Sequence, residues 1–450
     1  MIHLQNQIST TGSRKEIFAW TLYDWANSAY STISITVLVF YIQSVVVPGK
    51  WGPAVWAWGI SLSMLVSAVL SPIIGAIADA NSSKRRWLAG TAMSGAVAVV
   101  LMSLVPVDWT WLIIALFVTA SLMFELSMGV YNGFLPEIAD EKTMNQVSAW
   151  GFAVGYLGGA VALMIVIAVQ KNGPALGLDD LSDQLRAGLF IMGVWWGLFT
   201  LPAIFVLRDR GQRPEVTKSI AKDITQAVGE VGRTLASVRL FPVLAWFLLG
   251  FLLYNDGIQT VISQASTFAI KALDFETTEL IGLVLMIQLV ALPGALIVGM
   301  LADRIGQKAT LIICLVIWTG LVVVAYFVEE KSQFLALGVV LALVLGGTQS
   351  VSRSIMGMMT PKSHTAEFFG FFNLSGKATS FLGTFLFGLI VRVYGNPRLA
   401  ILSLLPFFLG GLAIIVWINI KKGHVQAQGG RAASRCDVSA SEQETAPDGR

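Results

Sequence analysis

Charge, cysteine and histidine are all scarce in this chain, and each shortage removes a class of protein. Only 13% of the 450 residues are charged while 55% are hydrophobic, and mean hydropathy is +0.72. That balance is too apolar for a soluble globular domain and suits a bilayer. Two cysteines, Cys314 in an apolar run and Cys436 in a polar one, supply neither a disulfide framework nor a metal cluster. His3, His364 and His424 all fall outside the apolar runs, so no metal site and no cofactor is expected. No HExxH or GxSxG occurs, and Ser375-Gly376-Lys377-Ala378 lacks the upstream glycine of a phosphate loop, so neither an enzyme nor an ATP-driven pump is indicated. The net charge of +3 is spread in short basic clusters between apolar runs, which excludes a basic face for nucleic acid. The first residues, MIHLQNQISTTGSRKEIF, are polar, unlike a cleavable signal peptide, so the first apolar segment is expected to stay in the membrane.

What the chain does have is long apolar runs. A spanning helix takes about 20 apolar residues, and twelve stretches qualify: 16–44, 55–78, 87–106, 109–135, 145–169, 187–207, 241–269, 279–302, 309–328, 334–360, 368–391 and 398–420. With the N-terminus inside, Lys and Arg concentrate in the inner segments, which predicts a multi-pass protein of the cell membrane with both termini cytoplasmic. The segment RDRGQRPEVTKSIAKDITQAVGEVGRTLASVR separates six spans from six and holds seven basic residues. The expected organisation is therefore a six-helix half (1–207), a cytoplasmic linker (208–240), a second six-helix half (241–422) and a disordered cytoplasmic tail (423–450).

The halves repeat one another. Asp24, Asn27, Ser28 and Ser31 recur as Asp256, Gln259, Thr260 and Ser263 at identical spacing, offset by 232. Gly75-Ala-Ile-Ala-Asp79 recurs as Gly299-Met-Leu-Ala-Asp303, offset by 224, and Pro136 recurs as Pro361, offset by 225. Six plus six spans in parallel is an arrangement of transporters whose halves share an axis along the membrane normal. The loop GMLADRIGQK resembles the signature between the second and third helices of the major facilitator superfamily. Asp79, Asp303 and Arg304 then serve either as a conformational latch across the inner face or as topological anchors.

Five ionisable residues lie well inside spans: Asp24, Glu125, Asp256, Arg353 and Lys377. Facing lipid, each would cost about 2.5–3.5 kcal/mol, so the set would cost as much as a whole fold's stability. They must face protein or water. Polar residues accompany them at helical spacing, with Gln349 beside Arg353, and Asn373, Ser380 and Thr384 around Lys377. Buried acids are the natural proton carriers, which makes Asp24, Glu125 and Asp256 the proton-coupling candidates. Arg353 can hold a carboxylate with two parallel hydrogen bonds, and Lys377 offers a point charge. Together with Asn27, Tyr254, Gln259, Gln349 and Asn373 they form the candidate substrate site for a small polar metabolite such as an amino acid. Buried ion pairs that lock helices, for instance Glu125 with Arg353, are the competing role.

Five motifs, YDWANSAY, LPEIADEKTMNQVSAWGFAVGYLGG, LYNDGIQT, GTQSVSRS and EFFGFFNLSGKATSFLG, occur in order across nearly all twelve spans. Together they resemble the vacuole effluxer-like, autophagy-related family of the major facilitator superfamily, and the compact chain resembles its bacterial members. The resemblance implies an all-α membrane protein of two six-helix halves, with spans 1, 4, 7 and 10 lining a central cavity that gathers Asp24, Glu125, Asp256 and Arg353. It also implies secondary active transport, with fungal members tied to amino-acid release from the vacuole. A membrane receptor or sensor that binds on the same fold without flux is the alternative from another class.

Overall fold

The computed structural model describes residues 12–48, 51–210, 241–273, 275, 277–361, 365–377, 380–394 and 396–427. Most of the expected linker, and the tail beyond 427, lie outside them. Among the described residues the regular structure is helical throughout.

Eleven helices are long and apolar enough to cross a membrane. In the first half these are α1 (Arg14–Ile33), α2 (Gly52–Ala80), α3 (Lys84–Leu104), α4 (Thr110–Asn132), α6 (Met144–Lys171) and α7 (Leu181–Val206), with the short α5 (Leu135–Ile138) following α4. A capping box starts α1: the Ser13 hydroxyl accepts from the Glu16 amide, and the Glu16 carboxylate accepts from the Ser13 amide. Its outer continuation is wound as π-helix over Ser34–Leu38 and Tyr41–Val46.

The second half contributes α8 (Pro242–Leu273), α9 (Thr277–Ile305), α10 (Gln307–Tyr326) and α11 (Lys331–Met359), and then α14 (Pro397–Leu402) with α15 (Leu405–Trp417). The span expected at 368–391 is described as helix on either side of residues 378–379, which lie outside the described residues: α12 (Thr365–Lys377) and α13 (Ser380–Tyr394). Residues 420–427 are also helical, and there His424 places Nε2 3.3 Å from the Glu141 carboxylate.

Buried apolar side chains gather into two cores, one drawn from residues 20–207 and the other from 244–420. Between them α6 packs along α9 and α11, while α12 packs along α2 and α4. Glycine permits the closest approaches. A Cβ at Gly370 of α12 would fall 2.9 Å from the Pro72 backbone of α2, and one at Gly133 would fall 2.8 Å from the Ala366 backbone.

The repeat extends to backbone conformation. Gly306, between α9 and α10, has φ +90°, and the residue 224 positions earlier, Ser82 between α2 and α3, has φ +45°. Both loops therefore carry a positive φ at the same place in the repeat, supplied by glycine in one copy and by a strained serine in the other.

Candidate functional site

Asp24 lies ten residues into α1, about 15 Å along the helix. It is buried, and its Oδ2 accepts from the Tyr131 hydroxyl at 2.7 Å and from Arg353 Nη1 at 3.2 Å. Asn27, one turn on, approaches Oδ1 at 3.5 Å. Arg353 reaches Asp24 from the other half, with only 2% of its side chain exposed.

The remaining guanidinium donors are also engaged. Nε donates to Ser148 Oγ at 3.0 Å, Nη2 to the Ser148 carbonyl at 2.7 Å, and Nη1 to Asn132 Oδ1 at 3.3 Å. Phe152 and Trp20 cover the group, their ring centres 4.2 and 4.7 Å from the guanidinium carbon. Gly151 makes this passage possible, because a Cβ there would lie 2.3 Å from Asp24 Oδ2 and 2.7 Å from Arg353 Nη2. The result is a desolvated, charge-neutral bolt from α11 through α6 to α1.

The other sequence candidates are placed as follows. Glu125 is buried on α4, one turn after Ser121, whose hydroxyl hydrogen-bonds Tyr30 at 2.9 Å. The example pairing of Glu125 with Arg353 is corrected: Arg353 takes Asp24, and the α4 residue that reaches the guanidinium is Asn132, two turns beyond Glu125 on the same helix face. Asp256 is fully buried and accepts from the Gly383 amide at 3.0 Å, inside its own half. Of the four charges expected around one pocket, only Asp24 and Arg353 are joined by a direct ion pair. Tyr254 is buried with its hydroxyl 2.7 Å from Ser352 Oγ, whereas Gln259 and Gln349 are half-buried. Asn373 and Lys377 lie in α12, and their side chains fall outside the described residues.

Beyond the bolt, the two loop aspartates sit against the start of a helix from the opposite half. Asp79 is 2.7 Å from Lys84 Nζ. Buried Lys84 also pairs with Glu137 and donates at 2.6 Å to Thr365 Oγ1, at the beginning of α12. Asp303 accepts from Asn145 Nδ2 at 2.9 Å, near the start of α6. Asn145 Oδ1 in turn accepts from Gln307 at 2.7 Å and from Ser354 at 2.6 Å. Arg304 is exposed. This end of the bundle is thus closed by two polar clasps and the bolt, while the Gln288–Thr32 hydrogen bond, 2.6 Å, joins α9 to α1 further along.

Lys84, Asn145, Ser148, Thr365, Gln307 and Gln288 escaped the sequence candidates. Lys84 was legible in principle as the first basic residue after the first loop aspartate, but neutral amides and hydroxyls leave no trace in a census of charge.

Comparison with known proteins agrees with this architecture. Residues 54–428 match the family model described as vacuole effluxer Atg22 like. An MFS-type transporter of Bacillus subtilis, YxiO, is 32% identical over 411 residues, covering 90% of this chain and 95% of that one. Autophagy-related protein 22-1 of Neosartorya fischeri is 27% identical over 310 residues, and the chain spans 49% of that longer relative. Among solved structures, the major facilitator superfamily transporter FucP in its outward conformation superposes with a TM-score of 0.71 at 12% identity, over 91% of this chain and 99% of that one. The chain belongs to the vacuole effluxer Atg22-like family and is a multi-pass membrane transporter of the major facilitator type rather than an enzyme.

Proposed function

We propose that the protein exports a small zwitterionic metabolite of the amino-acid class by alternating access, with the Asp24–Arg353 bolt as the element the substrate must open. The observation carrying this reading is that one buried ion pair, 3.2 Å long, joins the two halves. Separating such a pair without replacement leaves two bare buried charges and costs about 3–5 kcal/mol. A zwitterion replaces it charge for charge: its carboxylate takes the two-pronged face of Arg353, and its ammonium takes Asp24. Protonation of Asp24 is the other way to release Arg353, and it links opening to a proton.

Asn27, Tyr254, Gln259, Gln349, Asn373 and Lys377 complete the proposed substrate site, and Glu125 and Asp256 are the further proposed acids. The closed end is assigned to the cytoplasm, on the strength of the Lys and Arg enrichment of its loops, with Asp79, Asp303 and Arg304 proposed as the latch there. Export as the direction is taken from the family's description.

Counterflow in proteoliposomes tests the reading. Preloaded unlabelled amino acids should drive uptake of a labelled neutral amino acid, Arg353→Ala should abolish it, and Asp24→Asn, which removes the partner of the ammonium and the proton site together, should lower uptake and leave what remains without response to a pH gradient. Uptake that favours an uncharged sugar, or that survives Arg353→Ala, would sink the zwitterion assignment.

A further inference from the structure

Arg353 belongs to the second half by sequence and to the first by contact. Four of its five N–H groups donate, and every acceptor lies on α1, α4 or α6: Nε donates to Ser148 Oγ, Nη2 to the Ser148 carbonyl, and Nη1 to Asp24 Oδ2 and Asn132 Oδ1. The rings over the guanidinium carbon come from the same helices, with Phe152 at 4.2 Å, Trp20 at 4.7 Å and Tyr131 at 6.0 Å. Among the described residues the guanidinium makes no hydrogen bond to its own half.

Parting the halves therefore divides the partners unequally. Asp24 keeps Tyr131 and Asn27, which move with it, whereas Arg353 leaves all of its partners behind. The place it vacates is braced without it. The Tyr131 hydroxyl holds Asp24 Oδ2 at 2.7 Å, Trp20 Nε1 donates to the Tyr131 carbonyl at 3.1 Å, and the Trp20 and Tyr131 rings stack with centres 4.6 Å apart. Gly151 keeps the space open, since a Cβ there would lie 2.7 Å from Nη2. One carboxylate, two neutral carbonyl oxygens, a hydroxyl and aromatic faces are thus held on the first half in an arrangement that fits a planar, forked cation. A compact ammonium has no plane to lay on the rings, and no fork to reach Asp24 and the Ser148 carbonyl from two different nitrogens.

We propose that this place is a receptor for a guanidinium-bearing solute, filled by Arg353 while the inner end is closed and by an alkylguanidine entering from that end once it opens. Arg353 is then the receptor's own tethered ligand. The two occupants exclude each other, because both need Asp24 Oδ2 and the Ser148 carbonyl, so a bound alkylguanidine holds the bolt open. The proposal rests on the alternating-access reading for the opening of the bolt and shares nothing else with the zwitterion assignment.

Thermal unfolding of the purified full chain in detergent tests it, with n-propylguanidine as the probe and propylamine and propylurea as its ammonium and neutral counterparts. Tm should rise saturably with propylguanidine and stay flat with the other two, as expected for a ligand that binds only the folded state. In the parent protein the probe must displace Arg353, so its apparent affinity is lowered in proportion to the fraction of molecules whose receptor is empty. Arg353→Ala empties the receptor in every molecule and should bind the probe about tenfold more tightly. Arg353→Lys keeps a charge without the fork, so it should also bind more tightly than the parent, by less, and it carries the test if the alanine variant fails to fold. Asp24→Asn should abolish the response. Weaker binding in the Arg353 variants than in the parent would make Arg353 part of the site rather than its occupant and overturns the proposal. An equal response to propylamine, or none to propylguanidine in the Arg353 variants, overturns it as well. Absence of amino-acid counterflow alongside an intact propylguanidine response would refute the zwitterion reading alone, and counterflow without that response would refute the receptor alone.

Discussion

Asp24 and Asp256 carry the same polar ladder, one per half, yet Asp24 is tied to the opposite half through Arg353 while Asp256 faces a glycine and a hydroxyl in its own. The loop clasps diverge in the same way. Lys84 is buried between two acids, whereas Lys308, 224 positions later, donates at 2.7 Å to the carbonyls of Val416 and Ile418 near the end of α15. Duplication has preserved where polar residues stand and changed what they touch. The first half holds an acid paired with an arginine; the second holds an acid with no basic partner among the described residues.

The sharpest way to break this comparison is to remove the partner that only one acid has. Arg353→Ala leaves Asp24 buried with neutral partners only, Tyr131 and Asn27, and should cost about 3–5 kcal/mol, seen as a large drop in Tm of the detergent-purified protein. Asp256→Asn removes a charge that has no basic partner among the described residues and should leave Tm equal or higher. If both variants fell alike, the two acids would be equivalent despite their surroundings.

Lys84→Ala comes next. It takes the ammonium away from Asp79 and Glu137 and removes the donor to Thr365, so a loss of about 3 kcal/mol is expected. Because Thr365 belongs to the opposite half, the closed end should also open. A cysteine pair across α2 and α12 should then cross-link more slowly in the variant than in the parent background, and unchanged cross-linking would confine the role of Lys84 to the first half.

Much of the fold was legible because a bilayer imposes a simple rule on length and hydropathy, and because landmarks such as Asp79 and Asp303 recur at a fixed offset. Sequence picked out Asp24 and Arg353 individually but not as a pair. Which acid an arginine meets depends on its level along each helix as well as on the face, and Asn132, two turns beyond Glu125 on the same face of α4, is the residue at the level of the guanidinium. Gly151 shows the same limit. Its value lies in the atoms it leaves room for, and those belong to two other helices.

The neutral clasp should be weaker than the charged one. Asn145→Ala takes hydrogen bonds from Asp303, Gln307 and Ser354, but Asp303 is exposed and can turn to water. A loss of about 1–2 kcal/mol is expected, mostly from the buried Gln307 amide and Ser354 hydroxyl, which lose their shared acceptor while Gln307 keeps Ser354 Oγ and Met358 Sδ. Replacing Gln307 as well should then cost little more, and a double-mutant cycle on Tm measures that coupling. Additive losses would show that the two residues brace different elements.

Lys308→Ala should have the smallest effect, under about 1 kcal/mol, although Lys308 is the sequence twin of Lys84. Its ammonium caps two carbonyls at a helix end, where water can take over the hydrogen bonds once the side chain is gone. No buried acid is stranded by its removal, so Tm should barely move and cross-linking across α2 and α12 should match the parent. A loss as large as that of Lys84→Ala would mean that the lysine's place in the repeated loop, rather than the burial of its partners, sets its energetic weight, and the contrast drawn between the halves would fail at the one position where they share the same residue.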